Sequence, residues 1–346
     1  MSEVIINGRF RRQQVTGIQR VAESVSLRLQ TPHEVFEPRG SGTGARGHTW
    51  EQAVLPFRAG SRLIWGPANT GPLISKRQIL TMHGAGIFDH PEWFSPAFVN
   101  FHRPLWRKLA QRVLKIVTVS EFSRDRLSEV LGIGKDRIEV IWNGVDEQFR
   151  PASDQAIAEA KAAFGLNGRP YFVTLSTIEP RKNLPLVLGA WEAARAQLPR
   201  DMALLIIGPK GAANVFGAHS PDANFTGEGV IRTGYVPDAQ LPPLLSGAVG
   251  LLYPSLYEGF GLPLVEGMAC GVPVVTTRLT SLPEVGGEAV LYVDPHDPAE
   301  LAERMVDLAG SQDLRAERRQ AGLDRVFMFS WTTAAQRMDE LFRRHG

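Results

Sequence analysis

Twelve short apolar runs, separated by segments of helical length, constrain this chain more than any other feature of its sequence. Six lie over residues 4–7, 34–37, 63–65, 79–82, 116–119 and 138–141, and six over 171–175, 204–207, 230–233, 250–253, 272–276 and 290–293. Each has the length of a buried strand, whereas 18–29, 98–114 and 123–131 carry apolar residues at helical spacing. Strands that alternate with helices form parallel sheets covered on both faces. The expected fold class is therefore α/β, with two doubly wound domains facing each other across a cleft. A break near Phe149-Arg150-Pro151 places the domains at 1–150 and 151–330. The last helix, 331–346, has no strand after it and is expected to cross back to the first domain.

A chain of 346 residues has room for two such domains, and 43% hydrophobic with 21% charged residues is a globular composition. No apolar run approaches the ~20 residues that span a bilayer. The opening residues, MSEVIINGRF, lack the apolar centre of a secretory signal. Cys270 is the single cysteine, which excludes an internal disulfide or a cysteine metal cluster. These features read as cytosolic. Residues 1–150 carry 21 Lys and Arg against 14 Asp and Glu, and the remaining residues carry 17 against 22. The basic half is expected to meet something anionic, such as phosphates or a membrane surface. No aromatic platform or recognisable module accompanies the charges, so nucleic acid is not the expected partner.

Ligands of parallel sheets bind beyond the carboxyl ends of the strands. No G-x-G-x-x-G follows the first strand and no Walker A sequence occurs, so dinucleotide and P-loop readings lose their support. The densest candidate is YEGFGLPLVE, residues 257–266. Gly259 and Gly261 allow close backbone approach, and Pro263 suits the first turn of a helix. Open amides at that helix start form an anion site suited to a diphosphate. Glu258 and Glu266 bracket it and can accept bonds from vicinal hydroxyls. Arg181 and Lys182, after the run 171–175, form a second candidate: either a diphosphate clamp or a solvated loop. Asp89, His90 and Glu92 match no metal spacing and read as a polar loop.

Glu258 and Glu266 stand in the E-x7-E spacing, within PSLYEGFGLPLVEGMACGVPVV, and the chain resembles the family 4 retaining glycosyltransferases. STIEPRKN, VTVSEFSRDRL, IWNGVDEQFRP and RTGYVPDAQL resemble further segments of that family, in its order. Bacterial mannosyltransferases of O-antigen and exopolysaccharide assembly are the nearest look-alikes. The resemblance implies a GT-B fold of two Rossmann-like domains, with the nucleotide-sugar donor held mainly by the second, as co-substrate and with no cofactor or metal. It implies that Arg181 and Lys182 bind the donor diphosphate. Glu258 and the amides of Gly259, Phe260, Gly261 and Leu262 would meet sugar and phosphate, Glu266 the ribose, and Ser176 the donor. Gly17, after Thr16, resembles the loop that approaches donor and acceptor, and His83 a histidine near the anomeric carbon. Arg181, Lys182, Glu258 and His83 are thus the expected catalytic residues. A hexose, mannose from GDP-mannose, would pass to a saccharide acceptor. The alternatives are another GT-B enzyme, such as a nucleotide-sugar epimerase, and a non-catalytic nucleotide-sugar-binding subunit.

Phe98, Phe101, Leu105, Leu109 and Val113 make one helical stripe, with Arg103, Arg107, Lys108, Arg112 and Lys115 mostly off it. The stripe fits a helix lying on its own sheet. The cations give the expectation of peripheral contact with the cytoplasmic leaflet and of a polyprenyl-diphosphate-linked acceptor.

Overall fold

A computed structural model describes residues 4–175, 179–208 and 227–346. The expected runs form twelve strands: β1 (Val4–Asn7), β2 (His33–Phe36), β3 (Ile64–Gly66), β4 (Gln78–Thr81), β5 (Lys115–Thr118), β6 (Ile138–Val140), β7 (Tyr171–Leu175), β8 (Ala203–Ile207), β9 (Val230–Gly234), β10 (Gly250–Tyr253), β11 (Val274–Thr277) and β12 (Leu291–Val293). They build two six-stranded sheets, ordered β2-β1-β3-β4-β5-β6 and β12-β11-β10-β7-β8-β9. Among the described residues every pairing is parallel, from β1 beside β2 to β8 beside β9. Strands such as β7, β8 and β10 are buried along their whole length, which is why they read as continuous apolar runs without alternation.

The chain divides into two units. The first comprises Met1–Asp89, Pro96–Gly144 and Phe329–Gly346, and the second His90–Ser95 and Val145–Met328. The C-terminal helix Trp331–His345 thus belongs with the first sheet. Its Asp339 accepts from the backbone amides of Gln30 (3.0 Å) and Thr31 (2.9 Å), and its Phe342 meets the Trp65 ring edge-on at 5.8 Å. The segment His90–Ser95 departs from a simple division of the chain at its middle. His90 stacks on Trp93 at 3.8 Å, and both rings meet the edge of Tyr257 in the second unit. Asp89 is held by Arg126 instead.

In the second unit, Val187, Ala190 and Trp191 of helix Leu184–Ala194 pack with Leu204 of β8 and with Leu301 and Met305 of helix Pro298–Gly310. A smaller cluster in the first unit joins Ile5, Phe36, Leu55, Ala59 and Ile64, with Trp50 against it. The helix of the apolar stripe is Pro96–Arg112, so Val113 and Lys115 lie beyond its end. Its Leu105 and Leu109 are buried, as a helix covering its own sheet requires, whereas Phe101 of the same stripe is exposed and meets the rings of His48 and His102. Arg103 donates to the Phe88 carbonyl, and both Arg103 and Arg107 lie over the Phe88 ring. Lys108 and Arg112 remain exposed.

Candidate active site

The second sheet reverses its strand order between β7 and β10, and the two motif loops leave the carboxyl ends of these neighbours. Such a switch point leaves a crevice where neighbouring loops diverge. After β7 come Glu179, the tight turn Pro180–Lys182 and helix Leu184–Ala194. After β10 comes the loop 254–261 and then helix Leu262–Ala269. Two bonds join the loops: the Leu256 amide donates to the Arg181 carbonyl (2.7 Å), and the Arg181 side chain donates from Nη1 to the Tyr257 carbonyl (3.3 Å).

Four charged side chains converge there. Arg181 lies between two carboxylates, with Nη2 2.7 Å from Glu179 Oε1 and Nη1 2.6 Å from Glu258 Oε2. Lys182 Nζ donates to Glu258 Oε1 and to the Tyr253 hydroxyl, both at 2.6 Å. The Tyr253 hydroxyl donates onward to Glu258 Oε1 at 2.5 Å, and Ser255 Oγ lies 2.7 Å from the same oxygen. The formal charges cancel, as burial demands. Burial pushes the Glu258 carboxyl up, but Arg181 and then Lys182 outweigh it and hold it down at about 2. Burial and then Arg181 lower the Lys182 ammonium against the pull of Glu258.

Exposure divides the two cations. The Arg181 side chain is 28% exposed and that of Lys182 only 8%. Arg181 is therefore the cation open to a ligand, while Lys182 is enclosed within the network. Glu258 Oε1 is saturated by protein donors, and Oε2 receives only Arg181 among the bonds described above. Glu258 thus holds both cations in place, and Oε2 keeps the capacity to accept one further donor.

Gly261 has φ 101° and ψ 53°, a conformation that glycine adopts without strain, and turns the chain into helix Leu262–Ala269. The amides of Leu264 and Val265 fold back onto the Gly261 carbonyl. Those of Gly261 and Leu262 donate to no described group, and Pro263 has no amide to satisfy. Gly259 and Phe260 complete the turn, with Phe260 buried. Two open amides and the helix dipole thus lie next to the Glu258–Arg181 pair, a ready anion site. Glu266 is buried at the fifth residue of the helix. Nearby, burial and then the Glu266 charge push the Cys270 thiol up to about 12. Ser176 lies outside the described residues.

Gly17 and His83 belong to the first unit. Gly17 opens helix Gly17–Ser26 under a capping box of Thr16 and Gln19. His83 follows β4; its backbone amide donates to Asn69 Oδ1 (2.9 Å) and its Nε2 lies 2.8 Å from the Pro67 carbonyl. A carbonyl partner requires a proton on Nε2, so Nδ1 is the acceptor. Burial lowers the imidazole to about 4, despite the Pro67 carbonyl, and keeps it neutral at working pH.

The sequence places Glu179 in the candidate segment Glu179–Asn183 without a role for it, and offers none for Tyr253 or Ser255. Their signal was position, since each sits at or just past the carboxyl end of β7 or β10. Sequence reasoning also missed a buried network at the first sheet's switch point. There Glu51 accepts from Asn7 (2.6 Å), Thr70 (2.9 Å) and Arg9 (3.1 Å), and Arg9 also meets His48 (2.8 Å).

The family of Glycosyl transferases group 1 matches residues 169–311, and Glycosyltransferase Family 4 matches 48–149. O-antigen chain mannosyltransferase B of Escherichia coli is 32% identical over 267 residues, covering 77% of this chain and 70% of that relative. The chain belongs to the family 4 glycosyltransferases. Another relative of this glycosyltransferase is the GDP-mannose-dependent alpha-(1-6)-phosphatidylinositol monomannoside mannosyltransferase of Mycolicibacterium smegmatis. It is 29% identical over 69% of this chain and 64% of its own length. HepE from Anabaena, in a crystal structure with UDP and glucose, has a TM-score of 0.73 at 17% identity, over 99% of this chain and 100% of that one. The fold is GT-B, with two Rossmann-like domains.

Proposed function

We propose that this glycosyltransferase is a retaining, metal-independent mannosyltransferase that uses GDP-mannose. Its acceptor is a saccharide carried on a polyprenyl diphosphate in surface polysaccharide assembly, which would bring the protein to the membrane periphery. The observation that carries the catalytic part is Arg181, held by Glu179 and Glu258 beside the two open amides of Gly261 and Leu262. The donor and the setting are supported by the names of the mannosyltransferase relatives.

In this reading the bond from the anomeric carbon to the diphosphate oxygen breaks while the acceptor oxygen bonds to that carbon from the same face. The acceptor's proton passes to the departing phosphate oxygen, so no protein nucleophile is required. Negative charge grows on the leaving diphosphate, and a fixed guanidinium with two aimed amides stabilises it more in the transition state than before. Arg181 and Lys182 supply the positive charge. The neutral Nδ1 of His83 is available to accept from a sugar hydroxyl.

A thermal-shift panel of nucleotide sugars tests the donor. GDP-mannose at 100 times its dissociation constant should stabilise the protein by about 2.7 kcal/mol. Stabilisation by UDP-sugars alone would overturn the donor assignment. Transfer should survive a chelator, and strict dependence on added Mg²⁺ would overturn the metal-free mechanism.

A further inference from the structure

A cavity of about 620 Å³ opens in the first unit beyond the carboxyl end of β2. One wall is the loop 37–41, and the other the helical stretch 44–59 that also carries His48 and Glu51. Arg39, Arg46 and Arg58 give it three guanidinium groups, and Trp50 and Val54 an apolar side. Its volume lies within the range of small-molecule sites, and it opens on the carboxyl-end side of the first sheet, at its edge strand β2.

The charge is unanswered. The side chains of Arg39 and Arg46 are exposed and neither hydrogen-bonds nor ion-pairs with any described residue. Nearby arginines behave differently: Arg11 pairs with Glu23 and Glu37, Arg12 with Glu37, and Arg62 with Glu34. Glu37, the carboxylate in the cavity wall, is thereby already neutralised. Arg58 lies over the Phe36 ring at 4.2 Å. Trp50, half-buried, packs against the core cluster of Ile5 and Leu55. Val54 in the wall is 40% exposed, and Phe57, three residues further along the helical stretch, is 78% exposed.

Unpaired guanidinium groups suit phosphate oxygens, which they can grip in pairs, and exposed apolar side chains beside them suit an alkyl chain. We propose that this cavity docks the phosphate end of a prenyl-diphosphate carrier, with the diphosphate between Arg39 and Arg46 and the chain leaving along Val54 and Phe57. The proposal rests on the lipid-borne acceptor of the reading above.

Farnesyl diphosphate is the probe, titrated by calorimetry into the full chain carrying Arg181→Ala, which disables the donor diphosphate site. Arg39→Ser/Arg46→Ser should weaken its binding about tenfold or more. Phe57→Ser should weaken farnesyl diphosphate but not inorganic diphosphate. Absence of binding, or equal affinity with and without the two arginines, would overturn the site. Equal affinity for inorganic and farnesyl diphosphate would overturn the carrier and leave a phosphate site. Dependence on the arginines seen only with phosphatidylglycerol vesicles would replace the carrier by bulk lipid. GDP titrated into Arg39→Ser/Arg46→Ser with Arg181 intact should bind as to wild type. Loss of GDP binding in the wild type itself would instead strike at the GDP-mannose reading.

Discussion

Arg181 and Lys182 are neighbours in sequence, yet their exposure separates their tasks. Arg181→Ala removes the cation open to a ligand, so kcat/KM should fall by about 10²-fold or more. It also strips the buried Glu179 of its cation and leaves Glu258 to Lys182 alone. Breaking such a buried pair costs about 3–5 kcal/mol, so its denaturation midpoint should fall along with its activity. Lys182→Ala leaves Glu258 still paired with Arg181 and Tyr253 still bonded to Glu258, so it should lose less stability. A Lys182→Ala variant less stable than Arg181→Ala, measured in urea, would refute this ranking. The Glu258 carboxyl sits at about 2 in the folded protein, below its ordinary 4.5. Its ionised form therefore contributes stability that is present above pH 4.5 and is lost as pH falls towards 2. Wild type should be more stable than Glu258→Gln at pH 7, and the gap should narrow between pH 4.5 and 2. A gap independent of pH would mean that charge is not what holds the network.

The helix Leu262–Ala269 is the element that turns a buried strand into an anion site. Gly261 makes the turn at positive φ, and a Cβ added there would come within 3.0 Å of Leu282 Cδ2. Gly261→Ala should cost about 1–2 kcal/mol through backbone strain and tilt the amides of Gly261 and Leu262 away from the ligand. Calorimetry should show weaker binding of the nucleoside diphosphate, beyond what the stability loss explains. Unchanged affinity would remove those amides from the site. This element was legible in sequence because its parts are local: a buried run, glycines, a proline at the helix start. The helix Pro96–Arg112 was legible only in its apolar stripe. Where Arg103 goes depends on Phe88, fifteen residues earlier in the chain.

At the scale of the whole molecule, Asp339 ties the C-terminal helix to the end of the first unit's opening helical segment, 308 residues away in sequence. Asp339→Ala would strand two backbone amides, Gln30 and Thr31, at a cost of about 1–3 kcal/mol. Thermal unfolding should show that loss, whereas nucleotide binding should not change. Weakened nucleotide binding would mean that the helix supports more than the first unit. By itself the sequence determined the twelve strands, their parallel arrangement and the two loops that carry the site. Buried parallel strands need continuous apolar runs, and loops at their ends need glycine, proline and charge, all of which are written locally. Only the tertiary structure decided which carboxylate meets which cation. Glu258 and Arg181 are 77 residues apart and become partners because β10 lies beside β7, an adjacency set by strand order. The same holds for His90–Ser95, whose place beside Tyr257 depends on contacts that no local pattern encodes. Long-range pairing is chosen by packing and by the cost of burying unpaired charge, so it appears only when the whole chain has folded.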